Sequence, residues 1–227
     1  MFFQGVNILT VVTPADDYDL VDLATLKADL NVTTTADDAY LARRITSYSA
    51  SVSNYCNRVF PVEGLSWQFF PARDGHPWTV TEDIQPLQLP RWPIVTITSV
   101  VETIAGTATT LVSGTDYLAD MTRGQLTRLD INGNPRRWHA NPVAAVFAAG
   151  YATTEAPYTG AATLPADVFE ATELLIRDAY YARLRDGALK SESIPGVISS
   201  SYATPNDDGM SAAVTAKLRN YRVPVIV

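Results

Sequence analysis

Along the chain, apolar positions first recur at helical spacing, then alternate, then return to helical spacing. "DLATLKADLNV" places Leu23, Leu26 and Leu30 on one face behind Asp22, a good N-cap, and predicts a short helix. Thr33 to Thr35 break it. A longer helix opens at "TADD", with Thr35 as cap and Asp37 and Asp38 complementing the positive helix end. Its stripe is Leu41, Ile45, Tyr48, Val52, Tyr55 and Val59, a run of about five turns stopped near Pro61. No element is assigned to the apolar N-terminal arm.

From Trp67 to about Tyr151 the texture changes to short runs rich in β-branched and aromatic residues, separated by turn formers. Asn132-Gly133 between two such runs is a strong hairpin signal. No fixed period repeats, which argues against a propeller or solenoid. The stretch predicts one antiparallel unit of six to eight strands. Pro165 then opens a helix with Val168, Ala171, Leu175, Ala179 and Ala182 on one face. "KSESIPGVISSSYATPNDDG" follows, too polar and too interrupted to build a core. "SAAVTAKLRNY" closes as a weaker helix with Val214, Leu218 and Tyr221 in register, before "RVPVIV".

This order predicts an α+β chain. Its body is a small helical bundle, two N-terminal helices plus a long C-terminal helix, because single amphipathic helices must share a core. An antiparallel β unit is inserted, and a flexible C-terminal arm trails. The expected divisions are an arm at 1–18, the bundle at 19–62 and 164–189, the β insertion at 63–163, and a strap with a short docking helix at 190–227.

Composition narrows the function. Hydrophobic content of 47% with 18% charged residues describes a globular chain of 227 residues. A net charge of −7 argues against a protein that wraps nucleic acid, since phosphate binding runs on clustered Lys and Arg. One cysteine, Cys56, leaves no intramolecular disulfide framework. The apolar N-terminus lacks the basic start of a secretory signal, and no stretch reaches the length of a membrane span.

Candidate chemistry is sparse. Adjacent carboxylates such as Asp37-Asp38 diverge on a helix and serve as a helix start. "DINGNP" resembles a calcium loop at Asp130, Asn132 and Asn134, but Pro135 stands where glycine is required and Asn141 where the bidentate Glu belongs. His76 and His139 lack an activated nucleophile nearby, and no phosphate loop, dinucleotide fingerprint or HExxH motif occurs. No catalysis, cofactor or metal is expected. The one pointed cluster is "PRRWHAN": Arg136, Arg137 and Trp138 suit either a partner interface or a charged hairpin strand guarding a sheet edge. Trp67, Trp78, Trp92 and Trp138 also admit a carbohydrate-binding β module as a rival reading.

The order of motifs carries a resemblance. "LK..L" in the first helix, "YCNRVF" ending the second, "LPRWPIVTITSVVE", "DYLADMTRGQLTRL", "VFAAGY", "LP" before the third helix, "SESIPGVISSSY" and "LRNYR" occur in sequence over residues 19 to 222. Together they resemble the phage head–tail connector (adaptor) family, also found in phage-derived gene transfer agents. The resemblance implies a virion structural protein of the neck, made in the bacterial cytoplasm. It would dock as a ring, usually twelve-fold, beneath the portal protein and extend the double-stranded DNA channel without reading sequence. It would present a platform to a stopper or tail-side connector. On this reading the C-terminal segment is a portal-docking arm dispensable for folding, with Tyr202, Val214, Leu218, Tyr221 and Arg222 as its contacts. A minor tail or baseplate component is the nearer alternative.

Overall fold

The computed structural model describes residues 5–71, 86–138, 141–153, 160–183, 191–194, 198–201 and 210–224. The chain divides into two compact units, one of residues 1–16 and 61–162, the other of 17–60 and 163–227.

In the first unit, strands β1 (Gly5–Thr13), β2 (Glu63–Pro71), β3 (Leu87–Gln88), β4 (Ile94–Ile104), β5 (Thr107–Thr110), β6 (Tyr117–Asp120), β7 (Gln125–Leu129), β8 (Pro135–Arg136) and β9 (Val143–Ala149) form two sheets. One has the order β1-β2-β9-β4-β5 and is antiparallel throughout. The other is β3-β7-β6, with β8 also paired to β7. Strand alternation sorts each sheet into two faces. The inner row Leu9, Trp67, Ala145 and Val100 runs across the large sheet in register. Leu65, Phe69, Phe147 and Ile94 join Leu87, Tyr117 and Leu126 of the small sheet in one core. Two short strands, β10 (Tyr151–Ala152) and β11 (Ala162–Thr163), pair separately.

One glycine is fixed by geometry. Gly150, at φ +138°, would place any Cβ 2.4 Å from the Pro61 carbonyl oxygen. No other residue fits there.

In the second unit, α1 (Leu23–Asp29) starts at Asp22, whose carboxylate accepts the Thr25 N–H at 2.8 Å. Helix α2 (Asp38–Cys56) begins at Asp37 rather than Thr35 and ends where Asn57 turns left-handed. Its buried face is Leu41, Ile45, Ser49, Val52 and Cys56. Tyr48 and Tyr55 flank that face because Ser49 is needed inside, where its hydroxyl accepts the Leu20 N–H at 2.9 Å. Helix α3 (Ala166–Ala182) packs against α2 and against α4 (Ala212–Leu218). A hairpin of β12 (Ser191–Ile194) and β13 (Ile198–Ser201) stands inside the segment expected to be a flexible strap.

The expectation of a small helical bundle as the body of the fold, with a long C-terminal helix, is therefore overturned. Strand and helix contribute comparably to the described chain, and the β unit has a core of its own between two sheets. The helix after it stops at Ala182, and the C-terminal helix has only seven residues. The physical reason is the N-terminal arm. Its alternation supplies a nine-residue strand that widens the sheet and covers Trp67, whose indole N–H donates to Asn7 Oδ1 at 3.2 Å. Among the described residues no helix is long and apolar enough to cross a membrane.

Candidate assembly surfaces

The C-terminal helix is not waiting for a surface. Val214 and Leu218 are completely buried on a helix that packs against α3, and Met210 is nearly so. Ser211 caps α4 by accepting the Val214 N–H. Lys217 pairs with Glu170 of α3, and the Tyr221 hydroxyl reaches Asp167 at 3.3 Å. Beyond the helix, the Val223 N–H donates to the Cys56 carbonyl at 2.8 Å, tying the chain's end to the end of α2. The exposed Arg222 guanidinium lies 5.5 Å from the Tyr55 ring centroid. Of the five residues assigned to portal docking, two are thus core, and only Tyr221 and Arg222 present surface. Tyr202 lies outside the described residues, as do His76, His139 and Trp78.

Cys56 belongs to the same core. Burial pushes its thiol up to about 11, so the thiolate that would react is scarcely formed.

On the β unit, Trp138 is half-buried against the core and its indole N–H donates to the Leu126 carbonyl at 2.9 Å. Arg136 donates to the Leu129 carbonyl at 3.0 Å. Arg137 alone of the three is exposed. Of the four tryptophans that would make a sugar platform, Trp67 is buried and Trp138 is spent on the fold, while Trp78 lies outside the described residues. The "DINGNP" segment is a turn: Asp130 Oδ1 accepts the N–H groups of Asn132 and Asn134, and those bonds hold its carboxyl below the ordinary range. Among the described residues no cluster of three potential metal ligands occurs.

Two features were not foreseen. Between the sheets, Glu102 is wholly buried, with Arg128 Nε at 3.3 Å and Asn141 Nδ2 at 3.3 Å. Asp116 also lies 3.5 Å from the Arg128 guanidinium. At the joined ends of α2 and α3, Arg183 makes a two-pronged pair with Asp37 at 2.8 and 3.0 Å, and the Tyr180 hydroxyl donates to the same carboxylate at 2.9 Å. The Arg183 guanidinium also sits 4.7 Å from the Tyr180 ring and 5.0 Å from Tyr40. The Asp37 carboxylate is thus turned to Arg183, and it makes no side-chain capping bond at the start of α2.

Those bonds from Arg183 and Tyr180 hold the Asp37 carboxyl below its ordinary value. A depressed carboxylate contributes stability above its unfolded value of about 4 and loses it as pH falls through the lower folded value. Asp37→Asn should therefore lower the melting temperature at pH 7. The gap to the unmodified protein should close below about pH 4, as read by melts across pH.

The remaining surface feature is β1. Val6, Ile8 and Val12 on its outer side are 61%, 47% and 61% exposed, and Phe70 of β2 and Val146 of β9 lie exposed on the same face. A strand of nine residues without a charge, at a sheet edge, is an unusual thing to leave in water.

No family model and no curated protein matches the chain. Among solved structures, it is similar to a chain from the neck of an empty gene transfer agent (GTA) particle computed with C6 symmetry. Identity is 21%, coverage is 97% of both chains, and the TM-score is 0.52. It is similar in the same measure to a chain from the virion of a native GTA particle, at 21% identity, 97% coverage of both and a TM-score of 0.53. At this identity the likeness is one of fold.

Proposed function

We propose that this chain is a structural protein of the neck of a tailed phage or phage-derived transfer particle. It acts as a head–tail connector that docks as a ring, twelve-fold in the fullest form of the reading, beneath the portal protein. The ring extends the DNA channel and gives a stopper or tail-side connector its platform. The observation that carries the reading is that the fold agreement with a GTA neck chain runs over 97% of both chains, through helical and β units alike. The order of connector-like motifs from residue 19 to 222 supports it independently. The protein does its work by assembly and not by catalysis. With Val214 and Leu218 committed to the core, contact with the portal falls to the surface around Tyr221 and Arg222 and to the segment holding Tyr202. Arg137 is the member of its cluster offered to a second partner.

Deleting the gene should leave DNA-filled heads without tails, and the full chain added back to such heads should restore joining. Tailed, infectious particles from the deletion would overturn the reading.

The charge bears on the channel. A ring of chains each carrying −7 concentrates negative potential and lets duplex DNA slide past. The isolated protein should bind duplex DNA no tighter than about 10 μM at physiological salt, within the non-specific range. Submicromolar binding with a steep salt dependence would contradict a passive channel wall.

A further inference from the structure

We infer that the two open edges of the five-stranded sheet join head to tail between successive copies of this chain, β5 of one copy beside β1 of the next. Among the described residues β1 pairs only with β2, and β5 only with β4. Between these edges one row is continuous, beyond the two register shifts of β4 at Ile94/Thr96 and Ile97/Ser99: Ile8, Gln68, Ala144, Val101 and Thr110 stand directly opposite one another. Five strands, each antiparallel to the last, leave both edge strands running in the same direction. A second copy displaced across the sheet therefore brings its edge alongside as a parallel neighbour, and the same step can be repeated.

Both edges lack the side chains that normally block such pairing. Exposed edges are blunted by lysine, proline or charge. "GVNILTVVT" and "TATT" carry none of these, and all four residues of β5 are exposed. A bulge between Val11 and Thr13 ends the regular part of β1, leaving Val6 to Val11 as the pairing stretch. Main-chain hydrogen bonds would supply the join, and Val6 and Ile8 would gain cover from the next copy. Pairing β1 with β1 about a two-fold axis would stop at two copies and leave β5 open. Joining unlike edges is heterologous, and a heterologous contact closes into a ring when its rotation allows. The inference rests on the proposed ring only in that both require self-association.

The test uses the full chain with Ile8→Cys combined with Ala108→Cys or with Thr110→Cys, two residues on the face that Ile8 shares. The native thiol at Cys56 is buried, so oxidation reports on the introduced pair. Either double variant, oxidised in solution or in assembled particles, should give a ladder of multimers on a denaturing gel, and neither single variant should. A dimer from Ile8→Cys alone would show two-fold pairing and overturn the inference. Absence of a ladder from both double variants, in solution and in particles, would do the same. If such particles still carry the protein in their necks, the neck reading survives that failure. A ladder from a protein absent from the neck would leave the edge joint standing and remove the neck reading. Ile8→Lys and Ala108→Lys should each keep the melting temperature while shifting the oligomer to monomer by mass photometry. Oligomers that persist in both variants would also overturn it.

Discussion

A chain ended after residue 209 should lose the cooperative melt of its helical unit. The segment removed carries Met210, Val214 and Leu218, all buried, together with the Lys217–Glu170 pair and the Val223–Cys56 backbone bond. Burial of three such side chains contributes roughly 4–9 kcal/mol gross, comparable to the whole stability of an ordinary domain. Leu218→Ala alone should cost about 2–5 kcal/mol, because a cavity would be left where α4 packs against α3. Denaturant melts followed by circular dichroism would measure both. A truncated chain that melts as the full one does would restore the picture of a separable arm.

The second large effect lies between the sheets. Glu102→Ala should destabilise the protein by about 3–5 kcal/mol, since it leaves the nearly buried Arg128 without its carboxylate. Asp116 cannot fully replace it, being more exposed and 3.5 Å away. Replacing both partners, as Glu102→Leu with Arg128→Met, should recover most of the loss, because the cost comes from stranding a charge and not from losing a favourable contact. A double variant as unstable as Glu102→Ala would mean that the pair is needed to hold the two sheets in register.

The helices were the legible part of this chain. Leu41, Ile45 and Val52 repeat at helical spacing and are buried, and Asp22 caps α1 as its type and position require. The β turn at Asn132-Gly133 was equally plain, since those residues favour that backbone. What sequence could not reveal is pairing over long separations. Nothing local to "GVNILTVVT" says that its partner is β2, some sixty residues on, and so the sequence alone assigns the arm no element and leaves β1 out of the β unit. Likewise nothing local to Glu102 says that Arg128 stands beside it from another strand. In the C-terminal stripe Val214 and Leu218 are buried and Tyr221 lies past the helix, but periodicity gives only which residues share a face. It is silent on whether that face closes on the chain itself or on a partner.

Cys56 makes one of the two units separately observable. With its thiol buried and pushed up to about 11, it should resist a thiol reagent at pH 8 until the helices around it open. Only ~0.1% of even an accessible thiol with that value would be ionised. Labelling measured as a function of denaturant then becomes a clock for opening of the helical unit alone, against which the two-sheet unit, having no cysteine, is silent. Comparing that clock with the global melt would tell whether the two units unfold together or one at a time.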